Sequence, residues 1–97
     1  MASTEINFKN TLLRRREDIF ITSLVGDEMV LMNIETGKYF GINSVGVALW
    51  NLLEQRKSFH QLIEEILIEF EVAEDQAKSE VMEFLTRLDQ YDMLEVQ

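Results

Sequence analysis

Apolar positions along this chain change their period once, near residue 43. Before that point they come in short runs rich in β-branched and aromatic residues, the composition of pleated strands. IFITSL after Asp18 predicts a first strand. Val25-Gly26-Asp27 has turn chemistry, and EMVLMN (28–33) predicts a second strand. In it Met29 and Leu31 share one face and Val30 and Met32 the other, so both faces are apolar and the strand is expected to be central or covered. Ile34-Glu35-Thr36-Gly37 then turns the chain, with Gly37 supplying the positive φ that hairpin loops need. The third strand is expected over Lys38–Ile42, with Tyr39 and Gly41 on one face and Phe40 and Ile42 on the other.

Beyond residue 43 the spacing becomes helical. Asn43 or Ser44 can cap a helix running to about Gln55, whose stripe is Val45, Leu49, Leu52 and Leu53. Trp50 lies beside this stripe and is expected in the core or at its edge. Ser58 with Gln61 forms a capping box ahead of a second helix with Phe59, Leu62, Ile63, Ile66, Leu67 and Phe70 inward. A third helix is expected from about Glu74 to Gln90, carrying Ala77, Val81, Phe84, Leu85 and Leu88. Met93, Leu94 and Val96 make a short apolar tail that could be a strand. The order β-β-β-α-α-α predicts an α+β domain: a three-stranded antiparallel sheet followed by a three-helix bundle, winged helix-turn-helix-like in outline. Residues 18–97 would form this domain, and residues 1–17 an N-terminal arm, docked through Phe8, Leu12 and Leu13 or mobile.

Composition narrows the function. The chain has 97 residues, 46% of them hydrophobic, enough for one domain that folds without staples. Cysteine is absent, which removes disulfides, thiolate metal sites and cysteine nucleophiles and suits a reducing, cytoplasmic setting. There is no membrane-spanning run and no secretory signal pattern. A net charge of −9 opposes nucleic-acid binding. The one basic cluster is Arg14-Arg15-Arg16 with Lys9 nearby. It reads as a solvated arm, with contact to RNA, acidic lipid or an acidic partner as the alternatives.

No catalytic constellation emerges. His60 is the lone histidine, one turn from Glu64, too little for a metal site. Among 18 acidic residues chance pairs are expected, and no nucleophile, base and orienting group converge. No cofactor is implied. What remains is surface: a meander has two edge strands, and an edge can accept a peptide through main-chain hydrogen bonds. Tyr39 and Phe40 point to opposite faces, and Met82 lies off the main stripe of the third helix, so exposed aromatic and Met surface beside the third strand suggests a partner.

Several features together resemble PqqD-like proteins: the hairpin Asn33 to Tyr39 with its T-G-x-Y ending, Ile42-Asn43-Ser44 entering an apolar helix with Trp50, and Phe84, Leu85 and Leu88 near the end. The resemblance covers about residues 18–96. It implies a non-catalytic peptide chaperone, a recognition element for ribosomally made, post-translationally modified peptides. Such a protein binds the precursor's leader by strand addition and delivers it to a processing enzyme. Carried onto this chain, the docking edge would be Lys38, Tyr39, Phe40, Gly41 and Ile42, and the groove wall Lys78, Met82, Leu85 and Asp89. Proline at Phe40 should weaken docking, if that N–H pairs with the ligand. The T-G-x-Y turn looks like the stand-alone recognition proteins of lasso-peptide pathways, which act with a leader protease. Members acting in pyrroloquinoline quinone synthesis, with a radical SAM enzyme, usually carry a Pro-Glu-Gly-like turn instead. The competing classes are a winged-helix transcriptional regulator, opposed by the acidic third helix, a small enzyme, and a dimerisation module using the edge strand. The chain is expected to be a monomer or weak dimer.

Overall fold

A computed structural model of the protein describes Phe8, residues 11–26 and residues 28–97. The remainder of the expected arm, including Lys9, and Asp27 of the first turn lie outside the described residues. The strands are β1 (Leu12–Arg15), β2 (Phe20–Val25), β3 (Glu28–Asn33), β4 (Tyr39–Ile42), β5 (Lys57–Ser58) and β6 (Leu94–Val96). The helices are α1 (Ser44–Leu52), α2 (Phe59–Glu69) and α3 (Glu74–Gln90). The fold is α+β, with the expected antiparallel sheet in the order β2-β3-β4.

Register in that sheet follows the alternation. Leu31 faces Phe40 and Met29 faces Ile42 across the β3–β4 ladder, so the inward residues of both strands meet. Leu31 has no exposed surface, and Phe40 and Ile42 are buried. The hairpin between them depends on Asn33. Its Oδ1 accepts from the N–H groups of Glu35 (2.8 Å) and Thr36 (3.3 Å). Gly37 closes the loop at φ +76°, where a side chain would be strained. At the first turn Gly26 likewise takes φ +65°.

The helices form where the caps and stripes put them. Asn43 caps α1 by accepting from the Gly46 N–H at 2.9 Å. Ser58 and Gln61 complete their capping box, with both reciprocal bonds present. Ala73 gives α3 no side-chain cap, but Glu74 and Asp75 place negative charge in its first turn. Leu49, Leu62, Ile66, Val81, Leu85 and Leu88 are almost wholly buried where the three helices and the sheet meet. Each such side chain contributes roughly 1.5–3 kcal/mol of transfer free energy.

A second sheet, β5-β1-β6, was not anticipated. Its centre is β1, formed by residues placed in the arm, with Leu12 opposite Ser58 and Leu13 opposite Val96. Leu13 is fully buried and Phe8 joins the same core. This sheet explains why α1 stops at Leu52 rather than near Gln55. The Leu53 carbonyl accepts from the Arg15 N–H at 2.9 Å, so β1 takes up a carbonyl at the helix end.

The arginine cluster has the same use. Arg14 Nε donates to the Glu54 carbonyl (3.3 Å), Arg15 Nη1 to the Trp50 carbonyl (3.0 Å) and Arg16 Nη1 to the Asp92 carbonyl (3.1 Å). Those carbonyls lie at or just beyond the C-terminal ends of α1 and α3, where positive charge is favoured. Trp50 is buried, edge-on to Phe20 with centroids 4.7 Å apart.

Candidate peptide-docking groove

β4 pairs with β3 on one side and, among the described residues, with no strand on the other. Which of its backbone groups face the open side follows from the ladder. The Asn33 N–H donates to the Lys38 carbonyl at 2.9 Å, which makes Asn33 and Lys38 a closely bonded pair. Bonded pairs recur every second residue in an antiparallel ladder, so Phe40 and Ile42 direct their N–H and C=O groups to β3. Tyr39 and Gly41 direct theirs outward. The expectation that the Phe40 N–H would meet a ligand is therefore corrected: that group is used inside the sheet. Lys38 precedes the strand, and its N–H donates to Thr36 Oγ1 at 3.2 Å.

Side chains alternate in the complementary sense. Tyr39 is 65% exposed, whereas Phe40 and Ile42 turn inward. Phe40 meets Phe84 (centroids 6.5 Å apart) and Tyr91 (4.8 Å), both edge-on. The Arg87 guanidinium lies over the Phe40 ring, 5.4 Å from its centroid. Between β4 and α3 runs a groove with Phe40, Ile42, Gly46 and Phe84 at its base and Glu80, Glu83 and Arg87 along its α3 side. Gly46 is what lets the walls approach. A Cβ there would lie 2.9 Å from Ile42 Cβ and 3.4 Å from Phe84 Cε1.

Of the expected residues the structure brings Phe40, Gly41 and Ile42 to the lining of this groove, but not Lys38, Tyr39 or the expected wall. None of Lys78, Met82, Leu85 and Asp89 lines it. Leu85 is fully buried, Met82 packs against the core, and Lys78 pairs with Glu74 at 3.3 Å on the exposed surface. At about 3.6 residues per turn Lys78, Met82 and Asp89 lie on one flank of the buried stripe of α3, to which Leu85 itself belongs, and Glu80, Glu83 and Arg87 on the other. Phe84, read as core, is also groove floor. Periodicity fixes which stripe of α3 is buried but not which side of it the sheet edge approaches, so the flank that lines this groove is not legible in the sequence.

The titratable side chains lining the groove are Glu80, Glu83 and Arg87. His60 lies on α2, 3.6 Å from Glu64, with both side chains well exposed. Among the described residues no three potential metal ligands cluster, and no helix is long and apolar enough to cross a membrane.

A family model described as coenzyme PQQ synthesis protein D (PqqD) matches residues 28–94, the span from β3 to the start of β6. The solved structure of TbiB1 in complex with the TbiA(beta) leader peptide is 30% identical, with a TM-score of 0.68, covering 84% of this chain and 94% of that one. A lasso peptide synthetase B1 complexed with its leader peptide shares the fold at 20% identity and TM-score 0.68, covering 86% and 96%. No curated protein sequence matches.

Proposed function

The chain belongs to the PqqD family, and from that premise we propose that it is a non-catalytic protein that binds the leader of a ribosomally made precursor peptide. The leader docks as an added strand on β4 and is presented to a processing enzyme. The observation that carries this reading is the open edge of β4, with the Tyr39 and Gly41 backbone groups turned outward, beside an apolar-floored groove walled by α3. Main-chain bonds supply sequence-independent affinity, and the groove reads alternate side chains. The docking residues are Tyr39, Phe40, Gly41 and Ile42, with Phe84 in the floor and Glu80, Glu83 and Arg87 as the wall.

The Thr36-Gly37-Lys38-Tyr39 turn favours a lasso-peptide pathway, with a leader protease as the receiving enzyme, over a pyrroloquinoline quinone pathway, and the likeness to TbiB1 in complex with a leader peptide supports leader binding. The proposed setting is the cytoplasm, where a ribosomal precursor is made. A DNA-binding role is opposed by the net charge of −9 and by the use of Arg14, Arg15 and Arg16 on helix-end carbonyls.

The test is titration with the labelled leader of a precursor encoded beside this chain. Nanomolar-to-micromolar binding is expected, with amide shifts on β4 and on the Glu80–Arg87 flank of α3. Saturating leader that leaves those amides unmoved overturns the reading.

A further inference from the structure

The groove sorts charge along its length. α3 runs opposite in direction to β4: Tyr91 and Arg87 lie against Phe40, while Phe84, one turn earlier, reaches the Gly46 position beside Ile42. Glu80 lies a further turn on, about 10 Å along the helix axis from Arg87. All three charged residues line the groove, and the direction of α3 puts Arg87 at its Phe40 end and the two glutamates toward its Ile42 and Asn43 end. Among the described residues neither Glu80 nor Glu83 forms an ion pair, and Arg87 sits on the Phe40 ring rather than on a carboxylate. Glu80 accepts one bond, from Gln76 Nε2 at 3.1 Å.

The ladder decides which residues of a docked strand would meet these charges. Cross-strand partners point their side chains to the same face. A peptide residue opposite Tyr39 or Gly41 would be held by their outward backbone groups and would project to the outer face of the sheet. Residues opposite Phe40 and Ile42 would project inward, toward α3. Two groove-facing positions result, two residues apart, one beside Arg87 and one beside Glu80 and Glu83.

Resting on the peptide-docking reading above, we propose that the groove selects peptides with a Lys or Arg at the inward position opposite Ile42, and an acidic or apolar residue two positions away, opposite Phe40. Glu80 and Glu83 are the specificity-determining residues for the basic side chain. The outer flank has the same sign at this end: Glu28 Oε1 lies 3.6 Å from where a Gly41 Cβ would be. A cation is thus favoured on either face beside Gly41. The order of the two charges in the peptide reports strand direction, since an antiparallel strand places the basic residue first and a parallel one places it second.

The experiment selects from a displayed library of random twelve-residue peptides on the full chain. Recovered peptides are then titrated, as synthetic peptides, into the wild type and the Glu80→Gln/Glu83→Gln double variant. Enrichment of one Lys or Arg with an acidic or apolar partner at i±2 is expected. The double variant should bind these peptides at least fivefold more weakly, and the difference should shrink as salt rises, because exposed charges are screened. Peptides that shift the Tyr39–Ile42 amides but show no basic position, and bind both proteins equally, overturn this inference and leave the docking reading standing. If no recovered peptide shifts those amides, both fall. Far-UV circular dichroism and thermal melting of the double variant confirm that any loss is not unfolding.

Discussion

Asn33 Nδ2 donates to the backbone carbonyl of Tyr91 at 2.8 Å, tying the hairpin that launches β4 to the end of α3. The two walls of the groove are thus joined by one buried side chain, whose Oδ1 simultaneously holds the Glu35 and Thr36 N–H groups. Asn33 has no exposed surface and is the only polar residue among the buried described ones. Replacing it with Ala would leave two hairpin N–H groups and a carbonyl without this partner. A loss of about 2–3 kcal/mol is expected, from the roughly 1–3 kcal/mol that an unsatisfied buried group costs. Urea unfolding reads it as a lowered midpoint with unchanged slope. Asn33→Asp should recover part of the loss, because the acceptor contacts survive while the donor to Tyr91 does not.

Gly46 sets propensity against packing. In α1, Gly→Ala should gain roughly 1 kcal/mol of helix propensity. The new methyl would, however, lie 2.9 Å from Ile42 Cβ, an atom fixed close to the backbone of β4. Overpacking of this kind typically costs about 1–3 kcal/mol, so Gly46→Ala is expected to be destabilising on balance. It should also push β4 from α3 and weaken peptide binding beyond its effect on stability. Paired thermal melts and binding titrations check this, and a stabilised variant with unchanged affinity would show that the approach of β4 to α1 and α3 is looser than described.

Arg15 joins β1 to α1 through packing as well as charge. Its guanidinium lies 4.9 Å from the Trp50 ring centroid and 5.1 Å from that of Phe20, donates to the Trp50 carbonyl, and pairs with Glu17 at 2.9 Å. Lysine keeps the charge but lacks the planar fork that serves these contacts together. Arg15→Lys is expected to cost about 1 kcal/mol and Arg15→Ala about 2, given roughly 0.5–2 kcal/mol for a cation over an aromatic face and about 1 for a hydrogen bond. Chemical denaturation followed by Trp50 fluorescence measures both.

The two flanks of α3 can be separated by charge reversal. Glu83→Arg, on the groove side, should weaken binding of a selected basic peptide by tenfold or more. Asp89→Arg, on the opposite flank, should change it less than twofold. Fluorescence polarisation of the two variants beside the wild type reads the difference, and the reverse order would return the wall to the Lys78–Asp89 side.

These predictions draw on parts of the molecule that the sequence discloses unevenly. The β2-β3-β4 meander, Gly37 at positive φ, the Ser58–Gln61 box and the span of α3 are all written locally, in alternation, turn chemistry and capping residues. The second sheet is not. Its strands are two to four residues long, too short for a period, and pair Leu12 with Ser58 and Leu13 with Val96, partners distant in sequence. Arg14, Arg15 and Arg16 look like a solvated patch because the carbonyls they serve arrive from elsewhere in the chain. The groove divides the same way. Residues 39–42 could be read as an edge from the hairpin alone, but choosing Glu83 over Met82 as wall requires knowing on which side of α3 the sheet lies.

The central claim is that a peptide joins the sheet at β4, and backbone amide exchange tests it most directly. In the free protein the Phe40 and Ile42 amides, bonded to β3, should exchange slowly, and those of Tyr39 and Gly41, turned outward, should exchange fast. With saturating leader peptide, Tyr39 and Gly41 should become protected, while Phe40 and Ile42 change little. Binding that leaves Tyr39 and Gly41 exchanging as in the free protein would contradict strand addition at this edge.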